Sequence, residues 1–359
     1  MSFRAKAGFA AAVVVLAVPA SASAATKTVD MGLPTAQQKT FQKAFADVND
    51  FFPHQATIHV GDSIKFVPTG FHTVNIPRKG GSALAVILPT GQPIAAVNDA
   101  AGAAFWFNGQ QQIGFNPQLG PPGLFGKKAT FTGAKRVESG LPLSEKPKPF
   151  RVKFLKTGTY TYYCDVHAGM KGQIKVVSKN GKVPSAREDK AALNTQIAST
   201  LKTAKRLVHT VVQGNSVSIG ASGAGGVESF AFYPANKTVK AGTTVTFSMS
   251  SKSFEIHTAT TGPGNPETEP SSYLGQIEAG LEGPGLDPRG IYPSDPPGST
   301  AALTPTFHGN GFWSSGALDT SSATAALPKS NVVTFTTPGT YQFYCMIHPF
   351  MHGTVTVTP

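Results

Sequence analysis

The sequence predicts an all-β protein, two tandem β-sandwiches joined by a short helical linker. Three observations predict it: an internal repeat, period-two runs within each copy, and one stretch of helical periodicity between the copies. Residues 157–177 read TGTYTYYCDVHAGMKGQIKVV and residues 338–358 read PGTYQFYCMIHPFMHGTVTVT. A shift of 181 places Gly158 on Gly339, Cys164 on Cys345, His167 on His348 and Met170 on Met351. The same shift pairs Pro53 with Pro234, Gly61 with Gly242 and Phe66 with Phe247. His72 and His257 are offset by 185, so the second copy has a longer loop before its histidine. A repeat of this length means two copies of one domain.

Residues 1–24 read as a secretory signal. Arg4 and Lys6 are the charged head, Gly8 to Val18 a short apolar run, and Ala22-Ser23-Ala24 a small-residue cleavage site. That run is too short to span a bilayer, so no transmembrane anchor is expected. The expected location is periplasmic or secreted, after cleavage near Ala24.

Residues 25–184 form the first expected domain. Thr35–Asp47 suits a short helix. Residues 57–60, 63–67, 151–155, 159–164 and 173–177 are short β-branched or aromatic runs between Gly, Pro and Asp signals. Their counterparts in the second expected domain, residues 226–359, are 237–240, 243–248, 331–336, 340–345 and 354–358. Many short strands without alternating helices argue for antiparallel sandwiches. Between the domains lies a linker, residues 185–225. Ser185 and Glu188 match a capping box, and Leu193, Ile197, Leu201, Ala204 and Val208 recur at helical spacing. A Gly-rich stretch, 220–226, leads into the second copy. Each domain also carries a long insertion, roughly 98–147 and 262–328, which exceeds ordinary loop lengths.

The 359 residues include only two cysteines, Cys164 and Cys345. In an exported protein one disulfide is the plain alternative. Their contexts point elsewhere. Each cysteine closes a strand run and begins Cys-x2-His-x2-Met: Cys164, His167 and Met170, then Cys345, His348 and Met351. A further histidine, His72 or His257, lies upstream just after another run. Two histidines, a cysteine and a weak axial methionine are the type 1 copper ligand set. Thiolate and thioether favour Cu(I), while imidazole binds both oxidation states, so the mixture suits one ion that cycles. The expected cofactor is therefore two copper ions, one in each domain. Tyr163 and Tyr344, before the cysteines, should point away from the ligand side by strand alternation. His308 sits in a Gly-rich turn, His352 suits the surface, and nothing distinguishes His54, His59 or His209.

At these motifs the sequence resembles the cupredoxin family. The second loop, Cys345-Met346-Ile347-His348-Pro349-Phe350-Met351, is similar to its amicyanin-like members, and Gly70-Phe71-His72-Thr73-Val74 to its plastocyanin-like ones. The resemblance implies Greek-key sandwiches, type 1 copper, and electron transfer through partly exposed histidines, here His167 and His348. At the tyrosine position it implies a second docking surface, with an ordinary surface aromatic as the alternative.

Three functions compete: an electron carrier, a copper storage or delivery protein, and a copper enzyme of the nitrite reductase or multicopper oxidase type. The enzyme needs additional histidines beside the cysteines or in His-x-His pairs. The cysteines are flanked instead by Tyr163 and Asp165, and by Tyr344 and Met346. Delivery sites are usually open and Met- or His-rich, and only six methionines are present. An electron carrier with no catalytic residues is the expectation. The net charge of +12 is uneven: residues 25–184 carry nineteen basic and eight acidic side chains, residues 226–359 five and nine. Export and the absence of a recognition motif argue against nucleic acid. Redox proteins are the expected partners, one of them acidic and steered to the basic domain; the alternative is that the charge serves solubility or binds an anionic cell envelope.

Overall fold

A computed structural model describes residues 24–359, except 44–45, 121–122, 284 and 322–326. The signal segment, apart from Ala24, lies outside the described residues. Among those described, no helix is long and apolar enough to cross a membrane.

The first half contains β1 (Thr26–Met31), α1 (Thr35–Gln42), β2 (Ala46–Val48), β3 (Phe51–Phe52), β4 (Gln55–His59), β5 (Ser63–Pro68) and β6 (Asn75–Ile76). It continues with β7 (Ile87–Pro93), β8 (Gln111–Phe115), β9 (Lys128–Phe131), β10 (Val137–Glu138), β11 (Phe150–Phe154), β12 (Gly158–Tyr163) and β13 (Lys171–Val177). Then come α2 (Ala186–Leu207), β14 (Ser216–Gly223), β15 (Val227–Tyr233), β16 (Asn236–Lys240), β17 (Thr243–Met249) and β18 (Thr260–Thr261). The chain ends with α3 (Tyr273–Ala279), α4 (Pro288–Ile291), β19 (Ala301–Leu303), β20 (Trp313–Ser314), β21 (Ser330–Phe335), β22 (Gly339–Tyr344) and β23 (His352–Thr358). All ten strand runs expected from the sequence are strands.

The repeat is carried into the topology. In the first half the sheets run β3-β1-β5-β11-β9 and β10-β6-β12-β13-β4. In the second they run β15-β14-β17-β21-β19 and β20-β18-β22-β23-β16, the same two orders. The protein is thus all-β, a tandem pair of sandwiches. Alternating side chains from the two sheets of each half meet in one core. Val29, Ile64, Phe66 and Val152 pack on Ile58, Tyr162, Ile174 and Val176. Val217, Val245, Phe247 and Val333 pack on Val239, Phe343, Val355 and Val357.

Three details correct the sequence reading. The sheets are mixed, not purely antiparallel, because β1 runs parallel to β5, β9 to β11 and β4 to β13. The helix expected over 35–47 stops at Gln42, and residues 46–48 form a strand, β2. In α2 the capping box at Ser185 and Glu188 is formed, but Val208 is exposed, and Leu207 packs in its place beside Ala204.

The halves are joined more closely than a linker alone would join them. Strand β2 belongs to the first half but extends the second half's sheet, pairing antiparallel with β15. Helix α2 covers this junction with Leu193, Ile197 and Leu201, against Phe41, Phe52, Val227 and Tyr233. The insertions also meet. Phe105 and Phe107 of the first pack with Leu274, Ile277 and Phe312 of the second. The Trp106 indole N–H donates to Pro293 O at 2.8 Å, and His308 pairs with Asp99 at 3.0 Å.

Candidate metal centre

The two sheets of each half hold the sequence-predicted side chains from opposite sides. His72 and His257 precede β6 and β18. The cysteine, the second histidine and the methionine lie on the loop from β12 to β13, or from β22 to β23. Each loop is closed by its own backbone. Cys164 N donates to Met170 O and Met170 N to His167 O, both at 3.0 Å; Cys345 and Met351 repeat the pattern at 3.0 and 2.8 Å. A threonine then ties the two segments together: Asp165 N donates to Thr73 Oγ1 at 2.8 Å and Met346 N to Thr258 Oγ1 at 2.7 Å. Local chemistry thus fixes a loop whose spacing alone would leave it free.

Two His–Cys–His clusters result, His72–Cys164–His167 and His257–Cys345–His348, buried throughout except for the half-buried His348. In the first, the Nδ1 atoms are 2.9 Å apart, and Cys164 Sγ lies 3.9 Å from His72 Nδ1 and 3.6 Å from His167 Nδ1. In the second, the Nδ1 atoms are 3.1 Å apart and both Sγ–Nδ1 distances are 3.6 Å. A point equidistant from the three atoms of either triangle is about 2 Å from each, the length of a metal–nitrogen bond and slightly short of a metal–thiolate bond. The donor set therefore fits one ion per cluster. Met170 and Met351 are buried in the same core clusters as the cysteines. The cysteines are free thiols in separate cores, so the disulfide alternative is excluded.

The electrostatics favour thiolates. Burial alone would push the Cys164 thiol up, but His167 and His72 outweigh it and hold it well below its ordinary value. Cys345 is lowered in the same way against its burial, chiefly by His257. Thr73 N–H and Thr258 N–H each donate to a sulfur at 3.4 Å, which also favours the charged form.

Sequence reasoning missed a group between the clusters. Glu255, two residues before His257, places Oε1 3.5 Å from His167 Nε2 and Oε2 3.7 Å from His348 Nε2. Asn49, just after β2, donates from Nδ2 to Glu255 Oε1 at 2.6 Å. Burial would raise the Glu255 carboxyl, yet His167, His348 and His257 bring it down to about 2. His167, lowered by burial but raised by Glu255 and Cys164, rises to about 9. The histidines expected at partly exposed rims consequently turn towards each other, with side chains only 11% and 18% exposed. Phe254, the residue before Glu255, packs against the first core. Gly169, at φ +118, has no room for a Cβ, which would lie 2.5 Å from the Phe254 ring. Only the position of Glu255 in Phe254-Glu255-Ile256-His257, where the first copy has Gly70, distinguishes it in sequence.

The tyrosines also differ from expectation. Tyr344 is buried among insertion residues Leu274 and Phe312 instead of standing at a surface, and Tyr163 is half-buried. His308 lies in a turn as expected, and His352 is exposed.

Asp165 makes the first cluster's surroundings distinctive. Its Oδ1 accepts from Asn75 Nδ2 at 2.9 Å and from Leu84 N at 2.5 Å. Glu138, on β10, is pushed up to about 10 by burial and by the adjacent Asp165 charge. A carboxyl raised from 4.5 keeps in the fold a proton that the unfolded chain releases. Stability from this pair is therefore complete below pH 4.5 and declines as pH rises towards about 10. Glu138→Gln, which donates to Asp165 without a titrating proton, should be more stable than wild type at pH 8 by about 1–3 kcal/mol. The difference should vanish below the unfolded value. Thermal unfolding across this range checks it, and a constant difference would show that the proton is not the cause.

Fold and site together define a class: a tandem β-sandwich protein with one buried His–Cys–His cluster at the same place in each copy. No protein-family model and no curated protein matches the chain. Among solved structures it is similar to a purple cupredoxin from Nitrosopumilus maritimus, 18% identical over 40% of this chain and 100% of that one, TM-score 0.20. Plastocyanin from Dryopteris crassirhizoma is 23% identical over 40% of this chain and 99% of that one, TM-score 0.20. Auracyanin from Roseiflexus castenholzii is 18% identical over 41% of this chain and 100% of that one, TM-score 0.23.

Proposed function

We propose that this chain is an exported blue copper protein carrying one type 1 copper in each half and acting as an electron carrier. The observation that carries the reading is the pair of buried triangles, each of which fits one ion at bonding distance from a thiolate and two imidazoles. His72, Cys164, His167 and Met170 would hold one ion, and His257, Cys345, His348 and Met351 the other. The metal would supply a one-electron couple. The chain's part is to hold the ligands rigidly and exclude water: burial does the second, and the loop and threonine hydrogen bonds do the first. Rigid ligands limit rearrangement when the charge changes. Enclosed ligands favour a carrier over exchangeable storage or delivery, and among the described residues the two clusters are the groups of His, Cys, Asp and Glu close enough to hold a metal ion. Export rests on the signal-like residues 1–24.

For partners, the basic first half would attract an acidic redox protein. The apolar edge beside His348, where Phe350 is 53% exposed, would serve a second, neutral or basic one.

Metal analysis, EPR and a visible redox titration of the copper-loaded protein test the reading together. Two coppers per chain, both type 1 and both bleached reversibly by reductant, are expected. One copper, or a type 2 signal in stoichiometric amount, would overturn it.

A further inference from the structure

Each loop histidine turns Nδ1 to its own cysteine, His167 to Cys164 and His348 to Cys345, and leaves Nε2 as its outer nitrogen. Here the two outer nitrogens face one carboxylate. We propose that Glu255 is shared by both centres and makes them a single two-centre unit, in which each copper's charge is felt by the other and electrons pass between them inside the molecule. The inference rests on the copper reading above.

The tautomers support it. In each cluster Nδ1 points at the thiolate and the partner imidazole, so Nε2 carries the proton in a metal-bound histidine and can only donate. A carboxylate can only accept. Metal-bound histidines usually direct their second N–H at such a group, which orients the ring and strengthens the ligand. At 3.5 and 3.7 Å the contacts are ion-pair separations, slightly longer than hydrogen bonds. Both are made by opposite oxygens of one carboxylate whose side chain is 6% exposed.

The surrounding chain holds that carboxylate in place. Asn49 grips Oε1, and its own backbone N–H donates to Gly226 O at 2.7 Å, next to the β2–β15 pairing. Ser253 Oγ accepts from Glu255 N at 3.1 Å. Val166, from the first loop, and Ile256, beside Glu255, share one further apolar cluster. A buried charge is costly unless it is paired, and this one has partners in both halves. The donated strand β2 thus has a consequence at the centres: it brings Asn49 to Glu255.

Exchange between centres balances without a co-reactant. One site is oxidised as the other is reduced, no bond forms or breaks, and no proton moves. Coupling is reciprocal, so whatever Glu255 contributes to one centre's charge state it contributes while held by the other.

The test uses the full copper-loaded chain with Glu255→Gln, Glu255→Leu and Glu255→Asp. Removing an anion favours the less positive, reduced ion. In Glu255→Gln both midpoints should therefore rise, each by a roughly tenfold change in the oxidised-to-reduced ratio, the scale of one charge at intermediate dielectric, or about 59 mV for one electron. Glu255→Asp keeps the charge and should stay close to wild type. In Glu255→Leu, redistribution of electrons after substoichiometric reduction, independent of protein concentration in the wild type, should slow severalfold. Two bound coppers with neither midpoint or only one moved would overturn the proposal and leave the copper reading intact. Failure of the wild type to bind two coppers would instead defeat the copper reading.

Discussion

Cys164→Ser is expected to abolish the first centre and leave the second coloured, and Cys345→Ser the reverse. A hydroxyl in place of the thiolate removes the soft ligand and the charge that defines this ligand set. The two ligand triangles share no atom, and each is closed by its own loop hydrogen bonds. Each variant should retain one copper per chain and about half the visible absorption, as metal analysis and spectroscopy will show. The surviving centre should shift in potential while keeping its copper, because Glu255 relays charge without supplying a ligand to either ion. Loss of both colours in either variant would mean that the halves do not form their sites independently.

Much of this was legible in the sequence, for a physical reason. A one-dimensional repeat preserves ligand types and the alternation of a strand, so the two His–Cys–His groups and all ten strand runs were legible in it. The capping box at Ser185 is equally local. What could not be read depends on the packing of one half against the other. Strand β2 overlaps the end of the helix expected over 35–47, because Ala46 and Asp47 follow a helical run. Its partner, β15, lies some 180 residues further on, and no local signal reports it. Glu255 is a lone carboxylate in sequence, and only the meeting of two loops gives it three histidine neighbours. Tyr344 alternates outward as expected, but the insertions occupy that outside. Parallel pairings such as β1 with β5 were missed because a period of two is the same in either direction.

The insertions give rise to the second large effect. Phe107→Ala should destabilise the protein by about 3–5 kcal/mol, the usual cost of emptying a well-packed aromatic site. Phe107 is fully buried although its loop lies outside both sandwiches. Its ring stacks on Phe105 with centroids 4.9 Å apart and meets Tyr292 at 5.7 Å. The same cluster contains Leu274, Ile277 and Phe312 from the other insertion, and Tyr344 and Met346 flanking Cys345. The cavity would therefore open between the halves and behind the second centre's loop, with no counterpart behind the first. Denaturant unfolding of the copper-free protein should show the loss directly. In the loaded protein, copper release to a chelator should accelerate at the second centre while the first holds. Leu143→Ala is the control, because that side chain is 69% exposed in the same insertion and should change stability by no more than about 0.5 kcal/mol. Equal, small effects of the two substitutions would show that the insertions are ornaments on the sandwiches. A large effect confined to Phe107 would show that they clamp the halves together and hold the second centre closed.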